Sequence, residues 1–144
     1  MFDSKKSQAK AKKAGEAAVV FSATHNSEAS CSARRVWTID SGATCHMTSD
    51  KQFFGSLEAS LSVDVSMANG QRSKSKGCGS GKVNVLNKCG ESVDIELKQV
   101  LYVPDLDSGL LSVSRITDKG CSVHFKKKSV EVLDIDNKVI ALGE

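Results

Sequence analysis

Apolar residues recur at every second position over short stretches of this chain, and that alternation narrows its possible folds more than any other feature. Leu61, Val63, Val65 and Met67 alternate with Ser62, Asp64 and Ser66. Val83 and Val85, then Val93, Ile95 and Leu97, and later Cys121, Val123 and Phe125 repeat the pattern. A two-residue period belongs to a strand with one buried face. Turn chemistry separates the stretches. Asn69-Gly70 is a strong hairpin signal, residues 87–91 make another turn, and Asp136-Asn137-Lys138 joins strands over 130–135 and 139–142. Gly77-Cys78-Gly79-Ser80-Gly81 lacks the Lys-Ser/Thr of a phosphate loop and is read as flexible strand or bulge. Residues 99–103 form a short apolar segment stopped by Pro104. Helical spacing is confined to residues 110–119, with Gly120 as the stop, and Ser49 with Gln52 makes a capping box for one further helical turn. Seven or eight short strands and one short helix predict an all-β fold, a small closed β-barrel.

The chain has 144 residues, 40% apolar but only 5% aromatic, which allows one domain with an aliphatic core. Residues 1–34 are Lys-, Ala- and Ser-rich without a sustained period, and are expected to be a flexible basic linker ahead of a folded domain over 35–144. Lys5, Lys6, Lys10, Lys12 and Lys13 face only Asp3 and Glu16 there, a tail suited to weak nucleic-acid contact. No apolar run has the length to span a membrane, and the start lacks a signal-peptide pattern. Five cysteines, an odd number at irregular spacing, point to reduced thiols in an intracellular, cytoplasmic protein. None forms a CxxC pair. Cys45 with His46, or Cys121 with His124, are the only metal-ligand candidates, and packing cysteines are the better reading. No metal and no cofactor is expected.

Chemistry concentrates in Trp37-Thr38-Ile39-Asp40-Ser41-Gly42-Ala43-Thr44-Cys45-His46-Met47. A short apolar strand runs into Asp40, and the small residues Ser41, Gly42 and Ala43 turn it sharply. A carboxylate there costs desolvation energy unless it is partnered or functional, although Asp-Ser-Gly is also ordinary turn chemistry. No Ser-His-Asp arrangement holds together, because His25, His46 and His124 are scattered and Ser41 lacks a strand-to-helix elbow. A mechanism needing one special carboxylate per chain remains. Two like charges held close cannot both ionise, so a pair of aspartates meeting across a two-fold axis divides into an acid and a base.

Asp40-Ser41-Gly42-Ala43 resembles the signature of retropepsin-type aspartic proteases. The wider chain resembles the protease segment of Ty1/copia-type retrotransposon Gag-Pol polyproteins. WTIDSGATCHMTSD, VSMANGQ, GCGSGKV and VLYVPDLDSGLLSVSRITDKG, with CSVHF after it, carry the likeness in order, over residues 36–125. The resemblance implies a one-lobe barrel that acts as an aspartic endopeptidase when it forms a homodimer. Its substrates would be peptide segments of its own polyprotein, inside a particle if the element is active. Asp40 would be the catalytic aspartate, with Ser41 and Gly42 setting the geometry of the pair. Ala43, Met67, Ala68, Asn69 and Gly70 would contact substrate, the last four within a flap over 67–79. Leu110, Leu111 and Ser112 would brace the active-site loop. Retroviral relatives carry glycine where this chain has Ser112, a serine that copia-type members share. Glu144 resembles a cut end. The alternative is a catalytically inactive retrotransposon-derived barrel that dimerises or binds nucleic acid or another partner.

Overall fold

Strand pairing decides the architecture, and it follows the alternation closely. The computed structural model describes residues 9–10, 19–23, 35–59, 62–67 and 70–144; the expectation for the linker therefore falls largely outside the described residues. Two strands lie within it, β1 (Ala9–Lys10) and β2 (Val19–Ala23). They are followed by β3 (Arg35–Asp40), β4 (Met47–Thr48), a 3-10 turn (Lys51–Phe53), β5 (Phe54–Glu58), β6 (Asp64–Ser66) and β7 (Arg72–Lys74). Next come β8 (Gly77–Leu86), β9 (Ser92–Tyr102), β10 (Gly109–Ser112), helix α1 (Val113–Asp118), β11 (Ser122–Phe125), β12 (Val130–Leu133) and β13 (Val139–Gly143). The expected all-β class with one short helix is what the chain adopts. Among the described residues no helix is long and apolar enough to cross a membrane.

One large sheet runs β11-β12-β13-β8-β9-β4-β10-β3-β2, with β5 paired to β8 off this path; β1, β6 and β7 form a second, small sheet. The large sheet curls into a half-barrel, because β2 at its end lies against β8 and β13. Curling divides the apolar side chains into two clusters. Trp37, Ile39, Phe53, Val83, Val85, Leu97, Val100, Leu111, Val130, Val132 and Ala141 form the main core. Met47, Val65, Leu101 and Val103 form the other, at the base of the β6–β7 hairpin. Val100 and Leu101 are adjacent in β9 yet belong to different clusters, as alternate faces of a strand require.

Three expectations are corrected. Residues 93–97 and the apolar segment from 99, through Tyr102, are one strand, not two. Lys98 and Gln99 together oppose Ser80 alone, and Gln99 takes φ 55°, so a bulge returns Val100 to the inner face. Residues 110–112 are strand β10, and the helix begins only at Val113. The turn before Phe54 is capped by Asp50, not Ser49: the Asp50 carboxylate accepts from the Gln52 amide at 2.9 Å. The glycine run is strand with a register shift, as expected, and β5 explains its composition. A Cβ on Gly79 would stand 1.9 Å from the Ser56 carbonyl oxygen, and one on Gly81 2.2 Å from that of Phe53. Only glycine admits so close a backbone crossing.

Candidate functional site

Asp40 is the last residue of β3, and its position is set by a parallel partner. β10 pairs with β3 in the register Gly109 with Trp37, Leu110 with Thr38, Leu111 with Ile39, and Ser112 with Asp40. Parallel strands are stable when covered on both faces, and here Ile39 and Leu111 are buried in the main core. The chain then turns at once. The Gly42 amide donates to Asp40 Oδ1 at 2.7 Å, and the Ala43 amide donates to the Asp40 carbonyl at 3.4 Å. Asp40 and Gly42 are half-buried, Ser41 is exposed and Ala43 is buried.

Several bonds hold the loop after Asp40 from beneath. Ser112 is completely buried; its hydroxyl donates to the Ala43 carbonyl at 2.7 Å, and its amide donates to His46 Nδ1 at 3.0 Å. The same hydroxyl oxygen caps α1 by accepting from the Arg115 amide at 3.3 Å. The Arg115 guanidinium reaches back with Nε to the Thr44 carbonyl (3.3 Å), Nη2 to Cys45 Sγ (3.5 Å) and Nη1 to Gln99 Oε1 (3.1 Å). At the far end of the loop, the His46 carbonyl accepts from the Leu101 amide at 2.9 Å. Asp40–Ala43 and Leu110–Ser112, assigned from the sequence to one site, are therefore one hydrogen-bonded unit.

The hairpin assigned as a flap is connected to that unit through apolar packing. β6 and β7 pair antiparallel, and the turn closes with the Met67 amide on the Gln71 carbonyl and the Gly70 amide on the Met67 carbonyl. Gly70 has φ 82°, which glycine adopts without strain. Ala68 and Asn69 lie outside the described residues. Met67 and Cys45, the latter from the Asp40 loop, pack against the same buried cluster as Val65. At the hairpin base Ser73 donates to Asp105 at 2.5 Å and the Val63 amide donates to Ser75 Oγ at 2.8 Å.

His46 and Arg115 are the residues that sequence reasoning missed in this role. His46 is 3% exposed. Burial, then the charges of Lys119 and Arg115, lower its pKa to about 4, so the ring is neutral and Nδ1 is free to accept. Burial, with Cys45 next in importance, pushes the Cys78 thiol above its ordinary value, which suits a packing cysteine. Cys45, Cys78, Cys89 and Cys121 are free thiols, and no metal-type cluster of three or more ligands occurs among the described residues. An apolar cavity of about 140 Å³ lies on the far side of the brace, lined by His46, Val83, Leu111, Arg115 and Ile116 among others; Asp40 does not line it.

The geometry agrees with what this chain is similar to. The family profile of the Pol polyprotein, beta-barrel domain, matches residues 37–121, from Trp37 through the Asp40 loop, the hairpin and the brace to Cys121. The retrovirus-related Pol polyprotein from transposon RE1 of Arabidopsis thaliana is 33% identical over 108 residues, and that from transposon RE2 of the same plant is 32% identical over 108 residues. Each match covers 72% of this chain, and the chain spans 7% of the length of either relative. A profile match over more than half of the chain, with two transposon relatives in agreement, establishes that the chain belongs to the beta-barrel domain family of retrotransposon Pol polyproteins.

Proposed function

We propose that this domain is a retropepsin-type aspartic endopeptidase of a copia-type element, active as a homodimer and cleaving peptide segments of its own polyprotein. The observation that carries the reading is the placement of Asp40. A half-buried carboxylate ends a core strand, accepts its own Gly42 amide, and stands on a loop tied down by Ser112, Arg115 and His46. Rigid support of a single carboxylate suits chemistry that depends on placement. A homodimer supplies the second Asp40 through a two-fold axis.

In the assembled pair one Asp40 is ionised and takes a proton from the attacking water. The other is protonated and donates to the scissile carbonyl oxygen. The carbon–nitrogen bond then breaks as the first Asp40 passes the proton it took from water to the leaving nitrogen and the diol hydroxyl returns its proton to the second, which restores the pair. The Gly42 amide orients the carboxyl of its own chain, and Ser41, exposed beside Asp40, is placed to support the partner's loop. The β6–β7 hairpin closes over the bound peptide and excludes water, which strengthens every electrostatic interaction beneath it. Peptide cleavage at a polyprotein junction, measured for wild type and Asp40→Asn, tests the reading: the wild type cleaves and the variant does not. Equal rates for the two would contradict it.

A further inference from the structure

We propose that His46 is a positioning residue for the Asp40 site: its neutral ring accepts the Ser112 amide and so holds β10 in register with Asp40. The proposal rests on the reading of Asp40 as catalytic, and deepens it. The chain of contacts is short. His46 Nδ1 accepts from the Ser112 amide at 3.0 Å, Ser112 is the β10 residue in register with Asp40, and its hydroxyl donates to the Ala43 carbonyl at 2.7 Å. Both His46 and Ser112 are buried, so water cannot replace either bond at no cost. His46 is therefore attached to the Asp40 loop twice, through the backbone it belongs to and through the strand beneath it.

The ring carries this role in one protonation state only. With Nδ1 accepting, the proton of the neutral imidazole sits on Nε2. A second proton on Nδ1 would turn the acceptor into a donor aimed at the Ser112 N–H, and the bond would be lost. The charged and titratable side chains that share its surroundings are Arg115 on α1, Lys119 at the C-cap of α1, Glu96 on β9 and Cys121 before β11, with Cys45 next to it in the loop. Two of these are cations and oppose protonation. The brace is thus stable at neutral and mildly acidic pH and releases in stronger acid. Such a limit is separate from the titration of the paired aspartates themselves.

NMR of the full chain with labelled histidine and aspartate side chains tests this without reference to cleavage. The His46 ring should stay neutral well below the ordinary histidine range, and the Ser112 amide and Asp40 carboxyl signals should move with its titration. His46→Asn places an oxygen where Nδ1 was and does not titrate, whereas His46→Leu removes the acceptor; both lose the ring's packing, so their difference isolates the hydrogen bond. The Asp40 carboxyl signal should stay near its wild-type position in His46→Asn and move in His46→Leu. In cleavage assays kcat should be about tenfold lower for His46→Leu than for His46→Asn with KM little changed, and in acid the wild type should lose more activity than His46→Asn, which keeps only the limb of the paired aspartates. An Asp40 signal that moves equally in both variants, or a Ser112 amide indifferent to His46 titration, would overturn the proposal. A wild type that cleaves nothing while the NMR coupling persists counts against the protease reading and leaves the His46–Ser112–Asp40 linkage standing.

Discussion

His46 shows how much a single buried side chain can ask of its surroundings. Its ring takes a proton near pH 6.5 in an unfolded chain but only near 4 when folded, so between those values the unfolded chain binds more protons. Stability from the neutral ring is therefore complete above pH 6.5, falls as the pH drops towards 4, and levels off below it. The gap corresponds to about 3 kcal/mol. Denaturant melts of wild type and His46→Asn at pH 7 and pH 4 should differ by roughly this amount in their pH dependence. Gly79 makes the opposite demand, for no side chain at all. Gly79→Ala meets the Ser56 carbonyl oxygen at 1.9 Å and should cost about 3 kcal/mol or more. Gly55→Ala, whose Cβ meets nothing closer than 3.9 Å, should cost far less in the same melt. Asp40 could be singled out from sequence because its turn is local: the residues that shape it are its immediate neighbours. The partner of His46 lies 66 positions away, and no local pattern announces it.

The brace is the element on which the site depends. Residues 110–119 have apolar residues at helical spacing, yet residues 110–112 become strand. Parallel pairing to β3 on one side and an antiparallel contact from Met47 to Leu110 on the other outweigh local preference. Only Val113–Asp118 remains helical, with Ser112 as the cap. A similar non-local cause joins residues 92–102 into one strand, since the bulge at Gln99 is fixed by the crossing of β8. Alternating stretches such as residues 83–85 and 93–97 were legible because period and burial coincide there. Ser112→Ala removes the bond to Ala43 and the α1 cap together, and should lower stability by about 2 kcal/mol. Arg115→Met keeps the aliphatic stem but frees Thr44 and Cys45. Hydrogen exchange in residues 41–46 should then quicken by about tenfold, while amides in β12 and β13 stay unchanged.

At the scale of the whole molecule, the curled sheet presents Asp40 once per chain on a braced loop, and the proposed chemistry needs two copies of it. The apolar cavity lined by His46, Leu111 and Ile116 does not include Asp40, and in the proposed reading the peptide cleft forms together with a second copy. The chain belongs to the beta-barrel domain family of retrotransposon Pol polyproteins and spans 7% of the length of either relative. The barrel class was legible from alternation and turns. The manner of its curling was not, because it depends on glycine-mediated crossing of β5 over β8 and on which strands meet at the sheet's end. The most direct test of a shared site is to mix wild-type chains with Asp40→Asn chains under conditions where subunits exchange. At equal amounts and constant wild-type concentration, random pairing leaves half of the wild-type chains in all-wild-type dimers, and about half of the cleavage activity should be lost. A larger excess of the variant should drive the activity towards zero. Activity that stays unchanged at any excess of Asp40→Asn would contradict the account, since each chain would then be acting alone.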